Sequence, residues 1–356
     1  MSRLFLRWFR RNFSNPQAVI LAVLLIAGFL TIYFMGKILM PLLVATVLAY
    51  LLEWAVSAMV KKRIPRLISV ITVFISFCTI SLAIIVGIIP LVGHQIESLF
   101  TDLPNMAANI HAKLLEIPEK YPELVTKEQI ELVIQQLGSG LTNMGDLLVS
   151  ASLASFKNIV TIMIYMILVP LLIFFFLKDK QTILHWFTRW LPDDRQLSMR
   201  VWKELDVQIG NYVRGKVVEI FVVGGVTYVS FVIFGLNYSV LLAVLVGLSV
   251  LVPYIGATLV TIPVALVGLI QFGGGDTFMY LMVSYLIIQA IDGNLLVPLL
   301  FSETNNLHPV AIIAAVLFFG GIWGFWGVFF AIPLATLVVA VTDALDDSQV
   351  ADAEET

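Results

Sequence analysis

Long apolar stretches, each near the length of one membrane crossing, dominate the pattern of hydrophobic and polar positions in this chain. Six of them are uninterrupted and cover residues 17–35, 38–60, 67–92, 156–177, 217–236 and 277–300. A helix needs about 20 predominantly apolar residues to cross a hydrocarbon core. The pattern therefore predicts an all-α, polytopic membrane protein.

Two further apolar stretches, residues 238–272 and 308–341, are interrupted near the middle by glycine and aromatic residues. The first interruption reads VPYIG at 252–256, and the second reads GGIWGFWG at 320–327. Each stretch predicts a broken or re-entrant hairpin of two helices whose arms are short for a membrane crossing. Together with the six runs, the hairpins give about eight helical membrane segments.

The two hairpins are expected to form an inverted repeat. Shifting the chain by 70 residues puts Pro263 on Pro333 and Ala265 on Ala335, and each hairpin follows one spanning run. A unit of one crossing and one hairpin ends on the side opposite its start, so the next unit runs upside down. Inverted repeats are common in secondary transporters, and broken helices at membrane depth are tolerated only inside protein or beside a water-filled cavity.

Composition agrees with lipid as the surrounding solvent. Hydrophobic residues make up 60% of the chain and charged residues 13%, which is more apolar surface than a soluble chain of this length could cover. The single cysteine, Cys78, excludes a disulfide within the chain and is interpreted as a small buried hydrophobe. Four scattered histidines offer no zinc spacing, and no basic stripe with interleaved aromatics points to nucleic acid. We therefore expect no metal and no cofactor.

The distribution of lysine and arginine predicts the orientation. Segments 1–16, 61–66 and 178–216 hold four, four and eight of the 21 basic residues, and none follows Lys216. Cytoplasmic loops carry the excess of basic residues, so these segments and both termini are expected to be cytoplasmic. The first apolar run lacks a cleavage site of small residues and is interpreted as an uncleaved span.

Five regions follow from these patterns. Prolines 104, 118 and 122 are expected to divide the cap into short amphipathic helices, and aromatic and basic residues before 209 favour an interfacial helix. The regions are the first three spans (1–92), an extracytoplasmic helical cap (93–155), the fourth span with the cytoplasmic interfacial helix (156–216), the inverted-repeat transport region (217–343) and an acidic cytoplasmic tail (344–356).

Asp292 is the most informative candidate residue because it lies inside an apolar run. An ionisable group at that depth is costly and usually marks an ion or proton path. A structural carboxylate hydrogen-bonded to Asn294 or to the hairpins is the alternative. The predicted substrate or ion pathway consists of Gln289, Asp292, Asn294, Pro253, Tyr254, Gly256, His308, Pro309, Gly324 and Gly327.

Four residues around the start of the fifth run, Tyr212, Arg214, Lys216 and Glu219, are predicted to anchor it at the cytoplasmic interface. Glu219 is expected to pair with Lys216 one turn earlier rather than to bind a substrate. For His308, a helix start competes with a titrating role.

Enzyme signatures are incomplete. Residues 273–276 fit the Gly-x-Gly-Asp pattern of aspartyl intramembrane proteases, but Asp276 stands where a helix-start cap is expected and no Tyr-Asp pair supplies a second carboxylate. Residues 210–216 match a P-loop until Val217 replaces the required serine or threonine. We therefore do not expect an enzyme.

Several motifs together resemble the autoinducer-2 exporter family of bacterial membrane transporters, most of all its permeases. They lie at 41–51, 174–179, 212–216, 252–256, 292–298, 307–309, 324–327 and 331–335, and so cover nearly the whole chain. The resemblance implies a multi-pass protein of the bacterial inner membrane and a homo-oligomer, for which a pentamer is one candidate. Family members are associated with export of autoinducer-2 or with exchange of sodium or lithium for protons.

The sequence thus predicts a secondary transporter or permease of a small polar solute or ion, with export as one direction. Its partners would be that solute and membrane lipid. Two alternatives stay open: a non-transporting envelope scaffold that acts through the extracytoplasmic cap, and a passive channel.

Overall fold

The computed structural model describes residues 16–120, 159–189, 196–253, 255–301 and 307–354, and these ranges contain helices and turns but no strand. Two π-helical segments, Ile84–Ile88 and Asp292–Leu296, join α2 to α3 and α9 to α10. The helices are α1 (Pro16–Lys61), α2 (Arg66–Ala83), α3 (Ile89–Lys120), α4 (Ile159–Lys178), α5 (Lys180–Thr188), α6 (Gln196–Phe234), α7 (Ser239–Ser249), α8 (Ile255–Phe272), α9 (Asp276–Ile291), α10 (Val297–Phe301), α11 (Pro309–Trp323) and α12 (Phe325–Glu354).

Six helical stretches in the described ranges are long and apolar enough to cross a membrane. They are Ile38–Lys61, Arg66–Met106, Thr161–Lys178, Asp206–Phe234, Ile255–Phe272 and Asp276–Phe301. Shorter apolar helices cover Ile26–Gly36, Ser239–Ser249, Pro309–Trp323 and Phe325–Ala340. The all-α, multi-pass architecture is confirmed, with six candidate crossings where the sequence suggests about eight membrane segments.

The first two predicted spans are not separate helices. Residues 17–35 and 38–60 both lie in α1, a single helix of 46 residues. At the usual helical rise it is roughly 69 Å long, about twice the thickness of a hydrocarbon core. Gly36 and Lys37 alone do not end a helix; α1 ends where Arg63 adopts a left-handed conformation with φ 67°. The two runs therefore cannot form an antiparallel pair.

The prolines of the predicted cap do not divide it as expected. Pro104 and Pro118 both lie within α3, which continues α2 through the π-helical segment as far as Lys120. A proline removes one backbone hydrogen bond and bends a helix, but the turns on either side can continue it. Pro122 and the rest of the predicted cap, residues 121–155, lie outside the described residues.

An ion-pair cluster joins α1, α2 and α4 at the end of the molecule near the turn between α1 and α2. The Arg66 guanidinium donates to both carboxylate oxygens of Glu53 at 3.2 Å and to the Leu177 carbonyl at 2.8 Å. The Lys180 ammonium lies 3.2 Å from the same carboxylate. Residues of two of the basic segments predicted to share one side, 61–66 and 178–216, thus lie at the same end, which we call the basic end. Its orientation in a membrane stays a prediction.

Helix α6 is the centre of the second half of the chain and packs against α1, α7, α9, α10 and α12. Its crossing with α7 has no room for a side chain at Gly247, where an added Cβ would lie 2.9 Å from the Ile220 carbonyl oxygen and 3.2 Å from the Gly224 Cα. Small residues at helix crossings in membrane proteins let the backbones approach closely. Gly224 and Gly247 therefore set the distance between α6 and α7.

Replacing Gly247 with valine should lower the free energy of unfolding by about 1–3 kcal/mol, the usual cost of overpacking a tight contact. The measurement is thermal unfolding of the purified protein in detergent. Gly225→Val is the matched control, because a Cβ at Gly225 would meet nothing within 4 Å. Equal loss of stability in both variants would contradict the close crossing.

Hairpin 1, residues 239–272, is made of α7 and α8 and is fixed at its base. The Gln271 side chain donates to the Gly235 carbonyl at 2.7 Å and accepts from the Asn237 backbone N–H at 2.7 Å. From α3, Gln95 accepts the Leu241 backbone N–H at 2.8 Å. Near the tip of the hairpin, a Cβ on Gly256 would collide with the Ser249 carbonyl oxygen, so only glycine fits between the two arms.

Hairpin 2, residues 309–340, is made of α11 and the first part of α12. Its chain turns at Gly324, which has φ 59°, a conformation that favours glycine. A Cβ on Gly327 would collide with the Phe319 carbonyl oxygen. The second arm of each hairpin thus crosses the first through a glycine that touches a backbone carbonyl.

The hairpins point in opposite directions along the bundle. The tip of hairpin 2 places Trp323 against Phe29 of α1, with ring centroids 5.0 Å apart. Phe29 lies about 30 Å along α1 from Tyr50, which contacts Asp206 of α6. This tip therefore points away from the basic end. The tip of hairpin 1 returns to the Lys216 level of α6, towards the basic end. An inverted repeat requires this arrangement; the repeat itself stays a prediction.

Candidate functional site

A buried ion pair lies on α6, in the part of the helix that faces both hairpins. The Lys216 ammonium is 2.7 Å from a carboxylate oxygen of Glu219, and the two side chains are 5% and 2% exposed. The residues are three positions apart, so they share one face of the helix. The predicted pairing is confirmed, but it is enclosed by protein rather than exposed at an interface.

Lys216 connects α6 to two further elements. Its ammonium donates to the Val250 carbonyl at the tip of hairpin 1 at 2.8 Å and lies 5.1 Å from the centre of the Phe301 ring in α10. Gly215 makes room for that ring, because a Cβ there would lie 2.6 Å from a ring carbon of Phe301. An ammonium held by a carboxylate, a carbonyl and an aromatic face keeps its charge away from lipid.

Asp292 brings a second carboxylate to this position. It begins the π-helical segment after α9 and is close enough to Lys216 and Glu219 to interact electrostatically with both. Its Oδ1 is buried and has no hydrogen-bond partner among the described residues, and the same holds for Gln289 Nε2 one turn earlier. We call Lys216, Glu219 and Asp292 the charged junction.

Tyr212 adds a polar atom on the same face of α6. The residue is 2% exposed, and its hydroxyl has no hydrogen-bond partner in the described ranges. Its ring lies 5.7 Å from that of Phe301, one turn of α6 before Lys216. Buried polar atoms are normally hydrogen-bonded, so the free oxygens and nitrogen of Tyr212, Asp292 and Gln289 are groups that a polar solute or ion can engage.

The two hairpins meet beside the charged junction. Val252 at the tip of hairpin 1 packs against a buried cluster of Ala315, Val316 and Ala331 in hairpin 2. A second apolar cluster joins Tyr212 and Phe301 to residues of both hairpins, namely Leu251, Ile312, Phe329 and Ile332. A displacement of either hairpin would therefore change what surrounds the junction.

The predicted pathway residues are spread over this region. Asn294 is exposed, and its amide nitrogen donates to the Ala290 carbonyl at 2.9 Å, while Asp292 Oδ1 stays without a partner in the described chain. Pro253 is half-buried at the tip of hairpin 1, and Gly256, Gly324 and Gly327 shape the two hairpins. Tyr254 lies outside the described residues. Their roles in a pathway stay predictions.

His308 stands at a helix start. Its Nδ1 accepts the Val310 backbone N–H at 3.3 Å, and Pro309 occupies the first helical position of α11. His308 is exposed and caps the helix in the usual way for a residue before an N-terminal proline. A contribution of His308 or Pro309 to the pathway stays a prediction.

The predicted cytoplasmic anchor contains residues with different surroundings. Arg214 is half-buried and donates to the Asn211 side chain at 2.8 Å, whereas Tyr212, Lys216 and Glu219 are buried. The anchoring role stays a prediction. Sequence reasoning missed the burial, although residues 212, 216 and 219 follow the i, i+4, i+7 spacing of one helix face.

Comparisons with known proteins agree with this arrangement. The sequence profile described as "AI-2E family transporter" matches residues 21–347. The chain is 49% identical over 351 residues to "Putative permease PerM" of Escherichia coli (strain K12), covering 99% of both chains. It is 28% identical over 314 residues to "Putative transport protein YueF" of Bacillus subtilis (strain 168), covering 87% of this chain and 84% of the relative. The chain belongs to the AI-2E family of transporters.

Proposed function

We propose that this protein is a secondary transporter of a small polar solute or ion, and that the solute passes the charged junction. The burial of Lys216 and Glu219, together with the buried Oδ1 of Asp292, within apolar helices carries the proposal. Charges at membrane depth are costly and are typical of substrate, ion or proton paths. The permease and transport-protein names of the relatives favour the same activity.

Alternating access through the hairpins is the mechanism that we infer. The hairpins have matched glycine crossings at Gly256 and Gly327, and their tips point in opposite directions, which supports an inverted repeat. Repeats of this kind move as nearly rigid units around a fixed site near the midplane. Hairpin 1 would open the junction towards one side and hairpin 2 towards the other.

The finer features of the transporter belong to the same proposal. The clustering of Arg66 and Lys180 at the basic end, combined with the excess of basic residues in cytoplasmic loops, supports a cytoplasmic basic end and a bacterial inner membrane. Because α1 is continuous, its first residue, Pro16, lies at the opposite end of that helix. We propose export as the direction and a homo-oligomer as the assembly. Membrane lipid would contact the exposed apolar faces of the spanning helices.

The test is a solute screen in proteoliposomes under imposed proton and sodium gradients. Wild-type protein should show saturable flux of at least one small polar solute or ion, and Asp292→Asn should abolish that flux while the protein stays monodisperse. Without the carboxylate, the junction loses the charge that has no hydrogen-bond partner at Oδ1 among the described residues. Unchanged flux in Asp292→Asn would remove the junction from the pathway, and flux that never saturates would indicate a channel.

A further inference from the structure

Lys216 contacts three elements of the proposed transporter: α6, hairpin 1 and α10. Its ammonium donates hydrogen bonds to Glu219 on α6 and to the Val250 carbonyl on hairpin 1. It also faces Phe301, which follows Asp292 in the neighbouring span. An ammonium carries three donors on a flexible stem of four carbons, so it can change partners without a change in the backbone of α6.

Two carboxylates, those of Glu219 and Asp292, act on this ammonium through their charges. Glu219 holds it in the structure at 2.7 Å, whereas Asp292 interacts with it only electrostatically and has an Oδ1 without a hydrogen-bond partner in the described ranges. Both carboxylates belong to apolar helices, so whichever one lacks the ammonium bears a desolvation cost. The structure shows the arrangement paired through Glu219, and pairing through Asp292 is the chemical alternative.

The attachment of hairpin 1 differs between its base and its tip. At the base, Gln271 holds Gly235 and Asn237, and Gln95 of α3 holds the start of α7. At the tip, Lys216 donates to the Val250 carbonyl, and the described residues Leu251 and Val252 pack against apolar side chains. Apolar contacts are not directional, so the tip can slide over them once the ammonium leaves.

We propose that Lys216 is a positioning residue that holds the tip of hairpin 1 against α6. Transfer of its ammonium from Glu219 to Asp292 then releases the tip. In the arrangement seen here the ammonium holds the Val250 carbonyl and the tip lies against hairpin 2. When the ammonium moves to Asp292, the Val250 carbonyl loses its donor and the tip separates from α6. The inference rests on the proposed function, because it assigns a conformational role to the same charged junction.

The exchange can be tested by the accessibility of the hairpin tip. Cys78 is the one cysteine of the chain, so a Cys78→Ala background with Val252→Cys carries a single thiol at the tip. The rate of labelling by N-ethylmaleimide is measured on purified protein in nanodiscs, without any solute. The variants Glu219→Gln and Asp292→Asn keep the shape of each side chain and remove one competing charge.

The two variants should change the labelling rate in opposite directions. Glu219→Gln leaves Asp292 as the remaining carboxylate and should raise the rate by on the order of tenfold, the scale of one charge-assisted hydrogen bond. Asp292→Asn keeps the ammonium on Glu219 and should lower the rate. Glu53→Gln, which removes a carboxylate from the other ion-pair cluster, should leave it unchanged.

A purely structural ion pair gives a different result. Both variants would then loosen the fold, lower the melting temperature and raise the labelling rate together, which would overturn the exchange; unchanged rates in both would overturn it as well. If Glu219→Gln does not fold, the expected slower labelling of Asp292→Asn still decides the question. The labelling assay uses no solute, so its result does not depend on the flux measurement. If the wild-type protein transports no solute in proteoliposomes, the proposed function is disproved, whatever the labelling rates are.

Discussion

Lys216→Met is expected to destabilise the protein by about 3–5 kcal/mol, the usual cost of removing one partner from a buried ion pair. The reason is Glu219, whose side chain is 2% exposed and would be left with a charge and no ammonium. The Val250 carbonyl would lose its donor at the same time. The measurement is thermal or denaturant unfolding in detergent, followed by retention of a monodisperse peak.

A double variant separates stability from transport. Lys216→Met combined with Glu219→Leu replaces the pair by apolar side chains, which is often neutral for stability, so most of the lost stability should return while flux stays absent. Lys180→Met is the control: this lysine is 38% exposed, and Glu53 keeps Arg66 as its partner, so the loss should be below about 1 kcal/mol. Flux in the double variant would contradict a role of the pair in transport.

Joining the tip of hairpin 1 to the second arm of hairpin 2 should abolish transport completely and reversibly. Val252 packs against the cluster that contains Ala331, so cysteines at these two positions in the Cys78→Ala background are the pair to treat with a short bis-methanethiosulfonate reagent. Cross-linked protein in proteoliposomes should show no flux, because hairpin 1 could no longer leave hairpin 2. Reduction of the cross-link should restore it.

A second cysteine pair tests whether the effect is specific to the tip. Asn237 and Gln271 already contact each other at the base of hairpin 1, a region that the mechanism keeps fixed. The same reagent on cysteines at 237 and 271 should leave flux at the level of the reduced protein. Equal inhibition by both pairs would argue that the whole of hairpin 1 moves, and full flux with residues 252 and 331 joined would exclude separation of the hairpins.

The apolar runs predicted the membrane helices well, but the limits of the helices depended on features that the runs do not contain. Gly36 and Lys37 interrupt the hydrophobic pattern, yet α1 continues through them because neither residue breaks backbone hydrogen bonding. Pro104 and Pro118 are usual helix breakers, yet α3 continues past both. A pattern of hydrophobicity indicates where lipid contacts are favourable and does not state where the backbone turns.

The residues of the candidate site were predictable from the sequence, but their meeting in space was not. Asp292 could be selected because a single carboxylate in an apolar run is conspicuous, and the pairing of Lys216 with Glu219 follows from a spacing of three residues on a helix. Their meeting could not be derived, since α6 and α9 approach each other through packing between residues that are far apart in sequence. The contact of Val250 with Lys216 depends on the fold of hairpin 1 and has no local sequence pattern.

The position of both members of the ion pair on one helix has a consequence for biosynthesis. During insertion, α6 reaches the bilayer before α9 and hairpin 2 have been synthesised. Lys216 and Glu219 therefore have no partner from a later helix at that stage. A lone lysine or glutamate near the centre of a helix opposes insertion by about 2.5–3.5 kcal/mol, but Lys216 and Glu219 can pair within one turn. Lys216 and Glu219 can thus enter the membrane together as a pair without net charge.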